Sequence, residues 1–165
     1  MFNVDYVAIF RNFPPEIATF LISMLPIAEL RAAIPVGIAG FKLSVASAYL
    51  WSVVGNIVPA VFLLLYLEPV SRFLMNRSKV FERFFNWLFA RTRKRFSAKA
   101  EEYGKFMALV LFVAIPLPIT GAWTGSVAAF LFGIPFSRSL PAVVIGVLIA
   151  GVIVTLTTVG ITGIF

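Results

Sequence analysis

Glu29 and Arg31 stand two residues apart in a stretch that is otherwise free of charge from Ile17 to Phe41. Charges in apolar surroundings of that length are costly, by a few kcal/mol on membrane-insertion scales, and by default mark the path of an ion or a substrate. The planar fork of Arg31 suits a phosphate or carboxylate, and Glu29 suits a proton or the charge of Arg31 itself. Far along the chain, Thr120-Gly121-Ala122-Trp123-Thr124-Gly125 supplies hydroxyls and open backbone. Pro26 and Pro35 flank Glu29 and Arg31, and a half-helix that starts after a break there would present backbone N–H groups and a partial positive charge beside Arg31. The expected chemistry is therefore recognition and coupling. Catalysis is not expected. The chain has no His and no Cys, which removes Ser-His-Asp and Cys-His machinery, thiol redox chemistry, disulfides and zinc sites built on those residues. No pair of groups offers a nucleophile beside an oriented base, and no cofactor or metal is expected. Two plainer readings stay open. Glu29 and Arg31 could sit at the interface or merely neutralise each other, and the Thr and Gly residues could only cap and pack.

The elements that must position these groups follow from composition. The chain has 165 residues, 61% hydrophobic and 13% charged, against about 45–50% and about 25% in an ordinary soluble domain. Four apolar stretches, Glu16–Phe41, Leu43–Leu67, Phe106–Ser137 and Ser139–Phe165, hold most of it. A spanning helix needs roughly 20 apolar residues, so the sequence predicts an all-α integral membrane protein, one membrane domain over 1–165. Asp5 precedes any positive charge and Pro14-Pro15 interrupts early, so a cleavable signal peptide is not expected. Leu43–Leu67 and Ser139–Phe165 read as ordinary spans, with Pro59 and Pro141 as tolerable kinks. Phe106–Ser137 is too long for one span and too short for two. Pro116, Pro118, Gly121 and Gly125 break its middle. Glu16–Phe41 is broken likewise by Pro26, Pro35 and Gly37. Each is predicted to be a re-entrant hairpin of two half-helices, and irregular backbone at that depth needs protein or a water-filled cavity around it. The two breaks should then face each other. The resulting plan is two inverted repeats, 1–67 and 106–165, each a re-entrant helical hairpin followed by a transmembrane helix. If both hairpins re-enter, the C-terminus lies outside; if all four stretches cross, it lies in the cytoplasm.

Between the repeats, the linker 68–105 carries ten of the 14 basic residues and a net charge of +6. Short Lys/Arg-rich loops stay in the cytoplasm, which places 68–105 on the cytoplasmic face of a multi-pass protein of the cell membrane. Phe81, Phe84, Phe85 and Leu88 recur there at helical spacing among Lys79, Glu82, Arg83 and Asn86. The linker is thus predicted to be a basic amphipathic helix with its Phe/Trp side in lipid and its cations on anionic phosphates. It serves as a topological anchor, or as a lipid sensor; nucleic acid is not expected as a partner.

Ala28-Glu-Leu-Arg-Ala-Ala-Ile-Pro-Val-Gly37 and Pro116-Leu-Pro-Ile-Thr-Gly-Ala-Trp-Thr-Gly125 resemble the two signature stretches of the prokaryotic "putative small multi-drug export" membrane proteins, over roughly Ile22 to Gly160. That family is in turn distantly similar to the DedA superfamily, whose members are described as having paired re-entrant hairpins. Members of that superfamily are implicated in moving lipid phosphates, polyprenyl phosphates included, and in proton-dependent drug tolerance. The resemblance implies site residues Glu29, Arg31 and Pro35 in the first hairpin and Pro118, Thr120, Gly121 and Thr124 in the second. The expected function is a small transporter or lipid flippase that moves an anionic amphiphile, a lipid or polyprenyl phosphate, coupled to an ion gradient. One alternative is an exporter of hydrophobic cationic drugs, for which Glu29 would matter more than Arg31. Another is a non-transporting membrane assembly or stress protein. Membrane lipids and a small amphiphilic substrate are the expected partners. A chain this small is expected to need a second copy, as a homo-oligomer, to enclose a path.

Overall fold

The computed structural model describes residues 6–116 and 120–162. Among them every regular element is helical: α1 (Tyr6–Phe10), α2 (Pro15–Met24), α3 (Glu29–Pro35), a π-helical turn (Val36–Gly40), α4 (Val45–Arg77), α5 (Lys79–Ala114), α6 (Ala122–Leu131) and α7 (Phe136–Thr162). Two are long and apolar enough to cross a membrane, Val45–Arg77 and Phe136–Ile161. Only 39% and 44% of their most apolar stretches are buried within the protein, so most of each faces outward, unlike the core helix of a soluble domain. The chain divides into two compact units, Met1–Val58 with Val147–Phe165, and Pro59–Gly146.

In the first unit α2 and α3 pack against each other. Pro14-Pro15 starts α2, since a proline in the first turn lacks only an N–H that would have no helical partner. Ile22, Ala28 and Ala33 form a core covered by Tyr6, Phe10, Val36 and Phe41. This brings α1 back to the far end of the hairpin, where Val7 lies against Gly40. Gly55 of α4 leaves room for the Phe20 carbonyl of α2, and the Ser23 hydroxyl donates to the Ser52 carbonyl. The later part of α7 docks on α4 in the same manner: Gly151 admits the Tyr49 ring, whose hydroxyl donates to the Leu148 carbonyl at 3.1 Å.

In the second unit Gly104, with φ +75° and ψ 155°, divides α5 into a long basic segment and the apolar helix Gly104–Ala114. That apolar helix packs against α6, with Gly125 and Gly146 both fitted against Val113. The Lys105 ammonium donates to the Phe132 carbonyl at 2.9 Å, tying the start of the helix pair to its end. Cations suit the last carbonyls of a helix.

Two features differ from the sequence reading. The first span does not stop at Leu67, because α4 runs on through Arg77. Glu, Arg, Leu and Met propagate a helix well, and Glu68 and Arg72 form an i,i+4 ion pair at 2.7 Å. The helix ends at Ser78, which has a non-helical φ of −154° and whose hydroxyl caps α5 by accepting from the Val80 N–H. The linker's apolar side is also not all turned to lipid. Phe85 is buried, 8% exposed, in a cluster with Leu67 and Val127, flanked by Leu88, Phe89 and Phe130, while Phe81, Phe84 and Trp87 are exposed. Periodicity gives the angle of a side chain on its helix, and the neighbouring helices decide what that angle meets.

Candidate functional site

The first break is built on Pro26 and Pro35. Pro26 lies in the turn after α2, and Glu29 opens α3 with φ +47°, a left-handed conformation that costs an L-residue about 1–2 kcal/mol. That twist resolves the two-residue spacing. On a regular helix Glu29 and Arg31 would point to different faces, yet here Arg31 Nη2 reaches Glu29 Oε2 at 3.3 Å. The Glu29 side chain is 6% exposed and the Arg31 side chain 24% exposed, so the acid is the more enclosed of the two. Pro35 at the end of α3 has no N–H to give the Arg31 carbonyl, and the chain continues as the π-helical turn Val36–Gly40. There the Phe41 N–H bonds the Val36 carbonyl, five residues back, at 2.9 Å. Wide turns of this kind recur at functional sites. Gly37 within it fits against Thr19 and Ala48. Glu29, Arg31 and Pro35 thus occupy about two turns of one element.

The second break lies in the other unit. Thr120 is buried and donates to the Ile115 carbonyl at 2.6 Å, closing the turn that separates Gly104–Ala114 from α6. Gly121 precedes α6 with φ 148° and ψ −167°, a conformation essentially reserved for glycine. Its carbonyl accepts from the Gly125 N–H at 2.8 Å and, at the 3.5 Å limit, from the Thr124 hydroxyl. These hydroxyls therefore hold the shape of the break, which gives weight to the capping alternative for Thr120. Pro118 lies outside the described residues.

One group was missed in the sequence. Ser52 and Asn56, one turn apart on α4, are 0% and 1% exposed. Ser52 Oγ and Asn56 Oδ1 have no hydrogen-bond partner among the described residues. Their i,i+4 spacing inside an apolar run was the available signal, hidden by reading Leu43–Leu67 as an undifferentiated span. A groove of about 300 Å³ in the second unit, between Leu64 and Leu67 of α4 and Phe130, Ile134 and Ser139, holds none of the residues picked from the sequence.

What the first break can do follows from its charges. Of the pair, Arg31 is the more exposed member, and the planar fork of a guanidinium suits a phosphate or carboxylate. No curated protein and no solved structure matches the chain. The model of one family does, over residues 29–153, from the ion-paired Glu29 into α7. Its description implies a transport role in a membrane, in keeping with the two long apolar helices. The chain belongs to the family described as "Putative small multi-drug export protein".

Proposed function

We propose that the protein is a small transporter, not an enzyme, that moves an anionic amphiphile, a lipid or polyprenyl phosphate, across the cytoplasmic membrane in a manner coupled to an ion gradient. The observation that carries this is the Glu29–Arg31 pair: the cation is its accessible half. That favours an anionic headgroup, with Glu29 holding Arg31 or exchanging a proton. A relationship to the DedA superfamily is part of the proposal.

Two re-entrant hairpins are part of it too. At about 1.5 Å per residue, the ten residues of α2 and the ten of α6 each reach about 15 Å, half of the roughly 30 Å hydrocarbon core. In both helix pairs the first part lies against the last, Thr19 of α2 at Gly37 of the π-helical turn and Lys105 at Phe132. A stretch that crossed once would leave its ends on opposite sides. With the basic linker 68–105 in the cytoplasm, the first hairpin enters from outside and the second from inside, as inverted repeats. Pro118, Thr120, Gly121 and Thr124 would line the second hairpin, and a second copy of the chain would complete the path. A reporter fused after Phe165 tests this arrangement, since cytoplasmic activity would refute it.

The family's description, drug export, leaves room for a second reading, in which the cargo is a hydrophobic cation and Glu29 is the recognising group. Purified protein in liposomes separates the two. Fluorescent lipid phosphates should be moved by the parent protein. Loss of the charge-assisted contact in Arg31→Ala, about 1.5–3 kcal/mol, should weaken binding roughly 10–150-fold, and Arg31→Lys should restore it only in part. Glu29→Gln should retain binding and lose the pH dependence of transport. Movement of lipophilic cations alone, abolished by Glu29→Gln, would establish the second reading. Movement of neither would leave an assembly or stress role.

A further inference from the structure

The basic segment of α5 carries three distinct stripes. At about 100° per residue, Phe85, Thr92 and Phe96 fall within about 40° of one another, and they are 8%, 3% and 0% exposed. This stripe faces the protein. Phe85 packs on Leu67, and the Phe96 ring lies 5.7 Å from Phe112 and 4.7 Å from Phe132. Val80, Phe84 and Trp87 fall within about 60° of one another elsewhere on the helix and are 75%, 51% and 56% exposed. Lys79, Arg83 and Lys94, all exposed, form a third stripe whose edge lies about 20° beyond the aromatic one, with exposed Arg93 farther round. A helix that only shielded the bundle would need the first stripe and leave the rest polar. This one repeats an aromatic face where no described residue covers it and flanks that face with cations.

Depth and charge select the occupant. Phe85 rests on Leu67, the residue just before Glu68, the first charge of α4, so the aromatic stripe lies beside the end of the apolar part of the span. Tyr and Trp concentrate at that level of a bilayer, and Lys and Arg stems reach from there to phosphates. Arg91 adds a guanidinium inside the aromatic stripe, 5.2 Å above the Trp87 ring. A second copy of the chain would bring the same positive charge to the contact and be repelled. We infer that residues 79–94 dock in the plane of the membrane on anionic phospholipid headgroups, through exposed Val80, Phe84 and Trp87 and the cations Lys79, Arg83, Arg93 and Lys94. This surface is independent of the Glu29–Arg31 site and of what the protein transports.

The test uses the full chain carrying Trp51→Phe and Trp123→Phe, so that Trp87 alone reports, in phosphatidylcholine liposomes with and without phosphatidylglycerol. Brominated phospholipid should quench Trp87 and acrylamide should not. Phosphatidylglycerol should strengthen the lipid quenching, and high salt should reverse that gain. Replacing Lys79, Arg83, Arg93 and Lys94 by Gln should remove the dependence on phosphatidylglycerol. Each lost cation should shift the docking equilibrium constant by about fivefold. Quenching by acrylamide in both membranes would overturn the inference in favour of a water-facing surface. Protection that rises with protein density would assign the stripe to a second copy. Lipid quenching indifferent to phosphatidylglycerol and to the Gln substitutions would refute recognition of anionic lipid.

Discussion

Glu29 allows the geometry of the first break to be tested without any assay of transport. At an ordinary position inside a helix, Gly is less stable than Ala by about 0.8–1 kcal/mol, because it loses more backbone freedom on folding. Glu29 has φ +47°, where the β-carbon of any L-residue crowds the backbone at about 1–2 kcal/mol and Gly does not. Glu29→Ala and Glu29→Gly both delete the carboxylate and leave Arg31, itself 24% exposed, in the same condition. Subtracting one from the other cancels the lost ion pair and leaves the backbone term. Relief of about 1–2 kcal/mol, less about 0.5–1 kcal/mol for the greater freedom of Gly in the unfolded chain, leaves Glu29→Gly ahead by about 0.75 kcal/mol at the middle of both ranges. In a chain of this size that is about 1–4 °C in the midpoint of thermal unfolding, measured on purified protein in detergent. Ala32→Gly, within the same helix, serves as the control and should cost about 1 kcal/mol. If Glu29→Ala proves as stable as Glu29→Gly or more so, the left-handed start of α3 is wrong, and with it the reason the two charges meet.

Other substitutions probe the packing around the break. Gly55→Ala places a methyl against the Phe20 carbonyl and the Ser23 β-carbon and should destabilise by about 1–3 kcal/mol. Gly160→Ala, with no atom within 4 Å of its new β-carbon, should gain up to about 1 kcal/mol from helix propensity; equal midpoints for the two would contradict the α2–α4 contact. Ser23→Ala removes the donor to the Ser52 carbonyl and should cost about 0.5–1.5 kcal/mol. Ser52→Ala removes a hydroxyl with no partner among the described residues and should be neutral or slightly stabilising, as denaturant titration of both variants will show.

Proline and glycine made both breaks legible in the sequence. Pro26, Pro35, Pro116 and Gly121 act through their own covalent structure, so their effect survives whatever packs around them. That Glu29 and Arg31 could meet was legible from the broken stretch around them, but the means was not, since regular helical spacing sets them apart and the twist at Glu29 joins them. The overrun of α4 was hidden because Glu68, Arg72 and Arg77 mark a change of solvent, which was read as a change of structure. Gly104 gave no warning inside a charged run, although it turns α5 sharply. Ser52 and Asn56 were lost among Val, Leu and Ile, where two polar groups hardly alter the apolar character of a span. In each case a local property of the chain was readable, and the identity of the neighbour was not.

The glycines that seat one helix on another, Gly55 on Phe20, Gly125 and Gly146 on Val113, Gly151 on Tyr49, have a calorimetric consequence. In a bilayer, helices leave each other for lipid tails, so contacts of this sort are held by close fit and not by expulsion of water. The heat-capacity change that bends the stability curve of a soluble protein comes from apolar surface meeting water. Separating these helices within lipid exposes little such surface. The free energy of their association should therefore vary almost linearly with temperature, without the maximum near room temperature that a water-driven core produces. Chilling should tighten the bundle, and cold denaturation should be confined to whatever part of the chain stands in water.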